Sequence, residues 1–361
     1  NKYEIYNCEN TANVYSGIDY DKYSEELSNH FWRRTIPYRI AGIISATNAE
    51  LEVYNCKNSG EIQGDQGIAG IVADVSGNGI TAYNCSNEGD LKARFYAGGI
   101  VGKVMNSESE NFSNIVIYNC KNSGKVMNFE SENLYFYSGS RCGGILGILG
   151  GNYKNVKIFN CINSGEITGK CWCGGIIGEL GGKCENIQID RCKSSNVIKG
   201  FALNVGGIAG QITNSIQGMQ AKIYITNCTN ESEIICPNGD KIGGIAGAIS
   251  NYSYILDNDI ASSTSAILVI ENCKNIANIT ISRYSNSIEC YGYGGIAGSI
   301  NSAKSKIVNC INEGKVEAEG KIGGIIGYDG SDSSEYINWA NKGKIIEYNN
   351  VGEIVGVTNY W

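Results

Sequence analysis

The side chains best suited to recognition chemistry in this sequence are arginines accompanied by aromatics. Arg33, Arg34, Arg39, Arg94, Arg141 and Arg283 share short stretches with Phe31, Trp32, Phe95, Tyr96, Tyr135, Tyr137 and Trp172, whereas lysines are spread along the whole chain. A guanidinium presents a planar fork of donors and an aromatic ring a stacking face, the combination on which sugar rings or a protein partner dock. The competing expectation is that these stretches fold back over the outside of their own sheet.

Other chemistries find less support. Cys171-Trp172-Cys173 with Cys142 and Cys184 is the best approach to a metal site, but its C-x-C spacing is not the usual C-x₂-C and no histidine joins it. No metal and no cofactor are expected. His30 is the single histidine, and Tyr23, Leu27 and Phe31 at spacing four place it on a short amphipathic helix over 21–32. Acidic residues such as Glu61, Asp90, Glu166 and Glu313 alternate with Lys125, Lys315 and Lys344, the pattern of a salt-bridged outer face. An acid/base pair would need carboxylates clustered about 5–9.5 Å apart. No nucleophile–histidine arrangement or phosphate loop is present, so an enzyme is not expected. A net charge of −7 without basic runs argues against nucleic acid as a partner, and no apolar stretch is long enough for direct membrane insertion.

These residues are positioned by a repeat. Asn-Cys pairs recur at Cys8, Cys56, Cys85, Cys120, Cys161, Cys192, Cys228, Cys273 and Cys310, with Trp339 closing the series and Arg191 replacing the Asn once. A second Asn stands two residues after the Cys (Asn58, Asn87, Asn122, Asn163), often followed by Gly and then an aliphatic. Each unit ends on Gly-Gly-Ile-x-Gly at 98–102, 143–147, 174–178, 206–210, 243–247, 294–298 and 323–327, with degenerate copies at 41–45, 69–73 and 352–356. Ten units beginning near 6, 54, 83, 118, 159, 190, 226, 271, 308 and 337, most of them 29 to 41 residues long, define a solenoid in which each unit buries its apolar face against its neighbours. No linker interrupts them, so residues 1–361 are expected to form one domain.

The period within a unit is that of strands. Leu51/Val53, Ile115/Ile117, Val156/Ile158 and Ile187/Ile189 alternate with polar residues, and 48 glycines beside two prolines demand short strands and tight turns. An aliphatic three before the Cys and the Cys itself cannot both face inward on a straight strand. A corner at Asn55, Asn84, Asn119 and Asn160 resolves this, since Asn tolerates the left-handed backbone of a sharp bend, and stacked corner amides can bond from rung to rung. The glycine pairs mark a second corner where a Cβ would clash or φ must be positive. The expected fold is all-β: a single right-handed parallel β-helix of about ten coils of three short strands, roughly 50 Å long. Cys56, Cys85, Cys120, Cys161, Cys192, Cys228, Cys273 and Cys310 then form an inward column of reduced thiols, packing as small hydrophobes.

The Asn-Cys-x-Asn-x-Gly-x-Ile unit followed by Gly-Gly-Ile-x-Gly resembles the GLUG-type repeats of bacterial and some protist surface and secreted proteins, over essentially the whole chain. That resemblance implies an extracellular or cell-surface protein built as an adhesin-like or ligand-binding module; it supplies no catalytic residues. Alternatives are a structural stalk or filament subunit stacking on copies of itself end to end, and a β-helix polysaccharide lyase or hydrolase. The insertions fall in two columns, one before Gly-Gly and one after Gly-Gly-Ile-x-Gly. Stacking of the first column brings Arg94, Tyr96, Tyr135, Tyr137, Arg141 and Trp172 within two rungs, as the expected site for a glycan or a protein surface.

Overall fold

Short alternating segments separated by Asn and Gly corners can satisfy their backbone groups only on neighbouring units, and the structure, a computed structural model, pairs them that way. It describes residues 2–16, 39–77, 79–106, 113–128, 140–217, 221–254, 267–281, 292–302, 304–318, 322–331, 333–337, 340–341 and 345–347. It is all-β, with no helix among the described residues. The helix expected over 21–32 lies outside them, as do Tyr135, Tyr137, Cys290 and Trp339.

The strand before each Asn-Cys corner runs parallel to its counterpart in the next unit. Lys2–Tyr6 lies beside Glu50–Tyr54, then Gly79–Tyr83, Ser113–Tyr118 and Asn152–Phe159, and the series continues to Ser333–Ile337. A second parallel ladder after the glycine corners comprises Ile44–Thr47, Val72–Val75, Val101–Met105, Leu146–Gly150 and their successors. Between them a compact unit carries short segments such as Lys57–Asn58, Ile62–Gln63 and Ile68–Ala69. That makes more segments per unit than the three expected, because Gly60 and the 64–67 turn each interrupt the return path. In the middle of the chain these segments merge into a long strand, Lys193–Gly206, and Ile177–Asp190 runs from the second ladder into the first.

The first corner is the expected one. Asn7, Asn55, Asn84, Asn119, Asn160, Asn227, Asn272 and Asn309 all take φ between 50° and 55°, and Arg191 follows at 51°. The exposed amides bond from rung to rung, Asn84 Nδ2 donating to Asn55 Oδ1 at 3.2 Å and Asn160 Nδ2 to Asn119 Oδ1 at 3.1 Å. The bend turns Val53 and Cys56 into the core together, leaving each about 1% exposed or less. On the outer face the residues just before the corner stack as a ladder, Tyr6 on Tyr54 at 4.8 Å and Tyr83 on Tyr118 at 5.1 Å between ring centroids; such pairs contribute about 0.5–1.5 kcal/mol each.

The second Asn is buried. Asn58 Nδ2 donates to Gly60 O at 2.9 Å and to Asn87 Oδ1 at 2.7 Å, while its own Oδ1 accepts from Asn10 Nδ2 at 2.7 Å. Asn87, Asn122 and Asn163 repeat the pattern at 2.7 Å per link. At Ser194 the link becomes a hydroxyl contact with Ser232, and Asn230, Asn275 and Asn312 resume it at 2.8 Å. Each amide fills the space beside a corner glycine: a Cβ on Gly144 would lie 2.3 Å from Asn163 Cγ and 2.2 Å from Gly175 O. Lack of room, not a positive φ, is therefore what requires glycine there. The apolar core falls on either side of this interlock. One cluster holds Val53, Cys56, Ile71 and Val75; the other holds Ile62, Ile68, Cys142 and Cys173.

The described cysteines are free thiols, all of them buried except partly exposed Cys8. In the inward column from Cys85 to Cys310 each Sγ is directed at two carbonyls, Cys161 at Phe159 O and at Ile117 O of the preceding rung (3.3 and 3.7 Å). Burial pushes the Cys161 and Cys228 thiols well up and Cys184 to about 12, so at neutral pH they stay protonated. Alkylation of the native protein near neutral pH is therefore expected to label Cys8 alone among the described cysteines. Cys56, Cys85, Cys120 and Cys161 should react only after unfolding. Peptide mapping that found neighbouring rungs joined as disulfides would contradict the thiol column.

Candidate functional site

Two outward-facing columns converge outside the glycine corner. The first stands two residues before the glycine pair, or its Ala-Gly equivalent: Arg39, Gly67, Tyr96, Arg141, Trp172 and Asn204, held in rung order by the pairing of their strands. The second stands five residues after the pair's first member: Ala46, Asp74, Lys103, Ile148, Glu179 and Gln211, directly paired in that order. The corner glycines let the two backbones approach, since a Cβ on Gly98 would lie 1.9 Å from Val101 O. The result is a notch along the rungs, walled by one column on each side.

Side chains meet across it. The Arg141 guanidinium carbon lies 4.2 Å from the Trp172 ring centroid and 5.5 Å from that of Tyr96, and Arg141 Nε donates to Glu179 Oε2 at 2.5 Å. Trp172 Nε1 donates to Gln211 Oε1, which also accepts from Asn204 Nδ2 at 2.5 Å. Lys103 Nζ lies 6.0 Å from the Tyr96 centroid and 3.5 Å from Asp74 Oδ2, and Arg39 Nε reaches the same oxygen at 2.9 Å. Asp74 is buried and its other oxygen accepts from Ser76 Oγ at 2.9 Å. Where Gly67 contributes no side chain, the notch opens into a cleft of about 510 Å³ lined by Arg39, Ser45, Ala46, Gln66, Gly67, Asp74 and Lys103.

Trp172 is held in the left-handed region at φ 47°. A bulky residue there costs on the order of 1–3 kcal/mol. Cys171 and Cys173 on either side both point inward, and the strand pairing slips between Gly169 and Cys171. The indole of this left-handed residue lies over Arg141. Asn204 one rung on repeats the conformation at φ 46°.

Of the six residues expected to converge, the structure brings Tyr96, Arg141 and Trp172 together; Tyr135 and Tyr137 fall outside the described residues. Arg94 departs from the expectation. Its guanidinium turns inward, 3.5 Å from Asp65 and stacked 5.0 Å from the Phe95 centroid, with its side chain 12% exposed. The reason is Asp65, a buried carboxylate that also accepts the Arg94 and Phe95 amides through its backbone carbonyl. Tyr293 is fully buried and donates to Gly239 O at 2.9 Å. The set Cys142, Cys171, Cys173 and Cys184 is divided, because Cys184 belongs to the other core cluster. Asp74, Lys103, Glu179 and Gln211 were not anticipated. Their signal in the sequence is a polar residue at a constant distance after the glycine pair, which gains meaning only once the corner is known to be concave.

No protein-family model, curated protein or solved structure matches this chain.

Burial raises the Asp65 carboxyl above its ordinary value and Arg94 opposes that rise. Arg94→Ala should therefore strand a buried charge and cost about 3–5 kcal/mol at neutral pH. The raised folded-state pKa means this penalty grows as pH rises through it and fades as acid protonates the carboxyl. Melting curves at neutral and mildly acidic pH check this; a loss independent of pH would place the role of Arg94 in packing alone.

Proposed function

We propose that this chain is a non-catalytic extracellular or cell-surface repeat module of the GLUG type, an adhesin-like single-domain right-handed β-helix of about ten coils that binds a glycan or protein surface in the notch. The observation that carries the proposal is Trp172. Its strained backbone presents an indole to Arg141 and thereby builds a stacked Tyr96–Arg141–Trp172 face that the fold does not need, since other rungs turn the same corner with Gly67 or Lys241 at that place. Strain kept at a half-buried aromatic–guanidinium pair is characteristic of recognition surfaces. The two carboxylates on the notch walls support binding over acid/base chemistry, because Asp74 is engaged by Arg39 and Lys103 and Glu179 by Arg141.

The alternative is a stalk or filament subunit stacking end to end. It draws on the uniform rung-to-rung pairing, from Lys2–Tyr6 to Ser333–Ile337, which suits a spacer as well as a scaffold.

Trp172→Gly separates the two readings. Glycine accepts φ near 47° without strain, which offsets part of the packing and the Gln211 hydrogen bond lost with the indole, so the variant should stay folded with at most a modest fall in melting temperature. It should nevertheless lose at least ten-fold in binding to cells or to a glycan array, whereas Tyr224→Ala on the outer face should not. Equal binding by Trp172→Gly and the parent would leave the stalk.

A further inference from the structure

The occupant of the notch can be narrowed by charge and by what the backbone leaves available. Between the levels of Ala46 and Gln211 the two walls carry three cations, Arg39, Lys103 and Arg141, against two carboxylates, Asp74 and Glu179. That net positive strip lies on a chain whose overall charge is −7. Asp74 sits at the base of the cleft and draws Arg39 and Lys103 to one point, so two cationic groups converge at a cavity with room beside them. Five register steps separate Ala46 from Gln211, roughly 24 Å at about 4.8 Å per rung. A ligand that uses the whole strip is therefore extended and parallel to the rod.

A peptide strand is poorly served there. The backbone amides along the walls are taken up by neighbouring rungs, as Ile100 N by Ile145 O and Val72 N by Ile100 O, so no strand edge is offered for β-augmentation. A sugar chain needs no backbone partner. Its ring faces stack on aromatics such as Tyr96 and Trp172, and its hydroxyls and carboxylates meet side-chain donors.

We propose, resting on the notch as the binding site, that its ligand is a linear carboxylated glycan, a polyuronate. Its carboxylates pair with Arg39 and Lys103 at the cleft and its next sugars stack along Tyr96 and Trp172. Asp74 acts as a positioning residue that holds the two cations together.

Calorimetric titration of the full chain with an oligogalacturonate long enough to span the strip tests this, with the methyl-esterified oligomer, heparin and polyglutamate as comparison ligands. The oligogalacturonate should bind, more weakly as salt is added, and its methyl ester at least ten-fold less tightly. Arg39→Gln and Lys103→Gln together should cost at least ten-fold while the melting temperature shows the chain folded; Lys306→Gln, away from the notch, should cost nothing. Tighter binding of heparin would assign the strip to sulfated chains, and tighter binding of polyglutamate to acidic proteins; either result overturns the proposal. So would equal affinity for the ester, unchanged affinity in the double variant, or no binding of the oligogalacturonate. If Trp172→Gly still abolishes cell binding in any of those cases, the ligand class is wrong and the notch stands.

Discussion

The structure depends on the meeting of a buried asparagine with a glycine that has no side chain to oppose it. Asn122 lies where the Cβ of Gly99 would be, Asn163 where that of Gly144 would be, and Asn275 where that of Gly244 would be. A buried primary amide is costly unless its donors and acceptor are used. Here each is used within the ladder: two donations, one to the next rung and one to the carbonyl two residues on, and one acceptance from the rung before. The two halves of the repeat are thus one device. The Asn supplies hydrogen bonds that fix the rung spacing, and the glycine supplies the space.

That interlock also explains where variation is tolerated. Core aliphatics on either side, such as Ile71 and Ile62, are fully buried and recur in every compact unit, each contributing about 1.5–3 kcal/mol. Outside the glycine corner the backbone is already satisfied, so the residues two before and five after the glycine pair are free to differ. Tyr96, Arg141 and Trp172 on one wall, and Asp74, Lys103 and Glu179 on the other, occupy those places. A scaffold that over-determines its own register can hold a strained Trp172 without losing its fold. Salt-bridged columns elsewhere, such as Lys92–Glu61 and Lys199–Glu166, lie on the exposed face, where such pairs contribute little.

Much of this was legible in the sequence because the determinants are local. The parity conflict between Val53 and Cys56 forces a corner at Asn55, and the left-handed Asn follows from side-chain chemistry at one residue. What was not legible depends on neighbours distant in the chain. Asn55 and Asn58 are the same residue type three positions apart, yet one is exposed and the other buried, a difference set by which of them faces Gly42. Arg94 and Arg141 each sit beside an aromatic, but Arg94 is captured by Asp65 from the preceding rung. The notch itself requires that Tyr96 and Lys103 be seen as opposing walls, which the sequence separation of a few residues conceals.

The buried amide ladder is tested most directly by comparing Asn122→Ala with Asn119→Ala in denaturant unfolding. The two residues lie three apart on one rung and carry the same side chain. Removing Asn122 orphans the Asn87 amide donor and the Asn163 environment, at about 1–3 kcal/mol for each unsatisfied group. Removing Asn119 breaks only exposed amide contacts. The account predicts a loss of several kcal/mol for the first and under about 1 kcal/mol beyond the corner's own preference for Asn for the second; equal losses, or a larger one at Asn119, would contradict it.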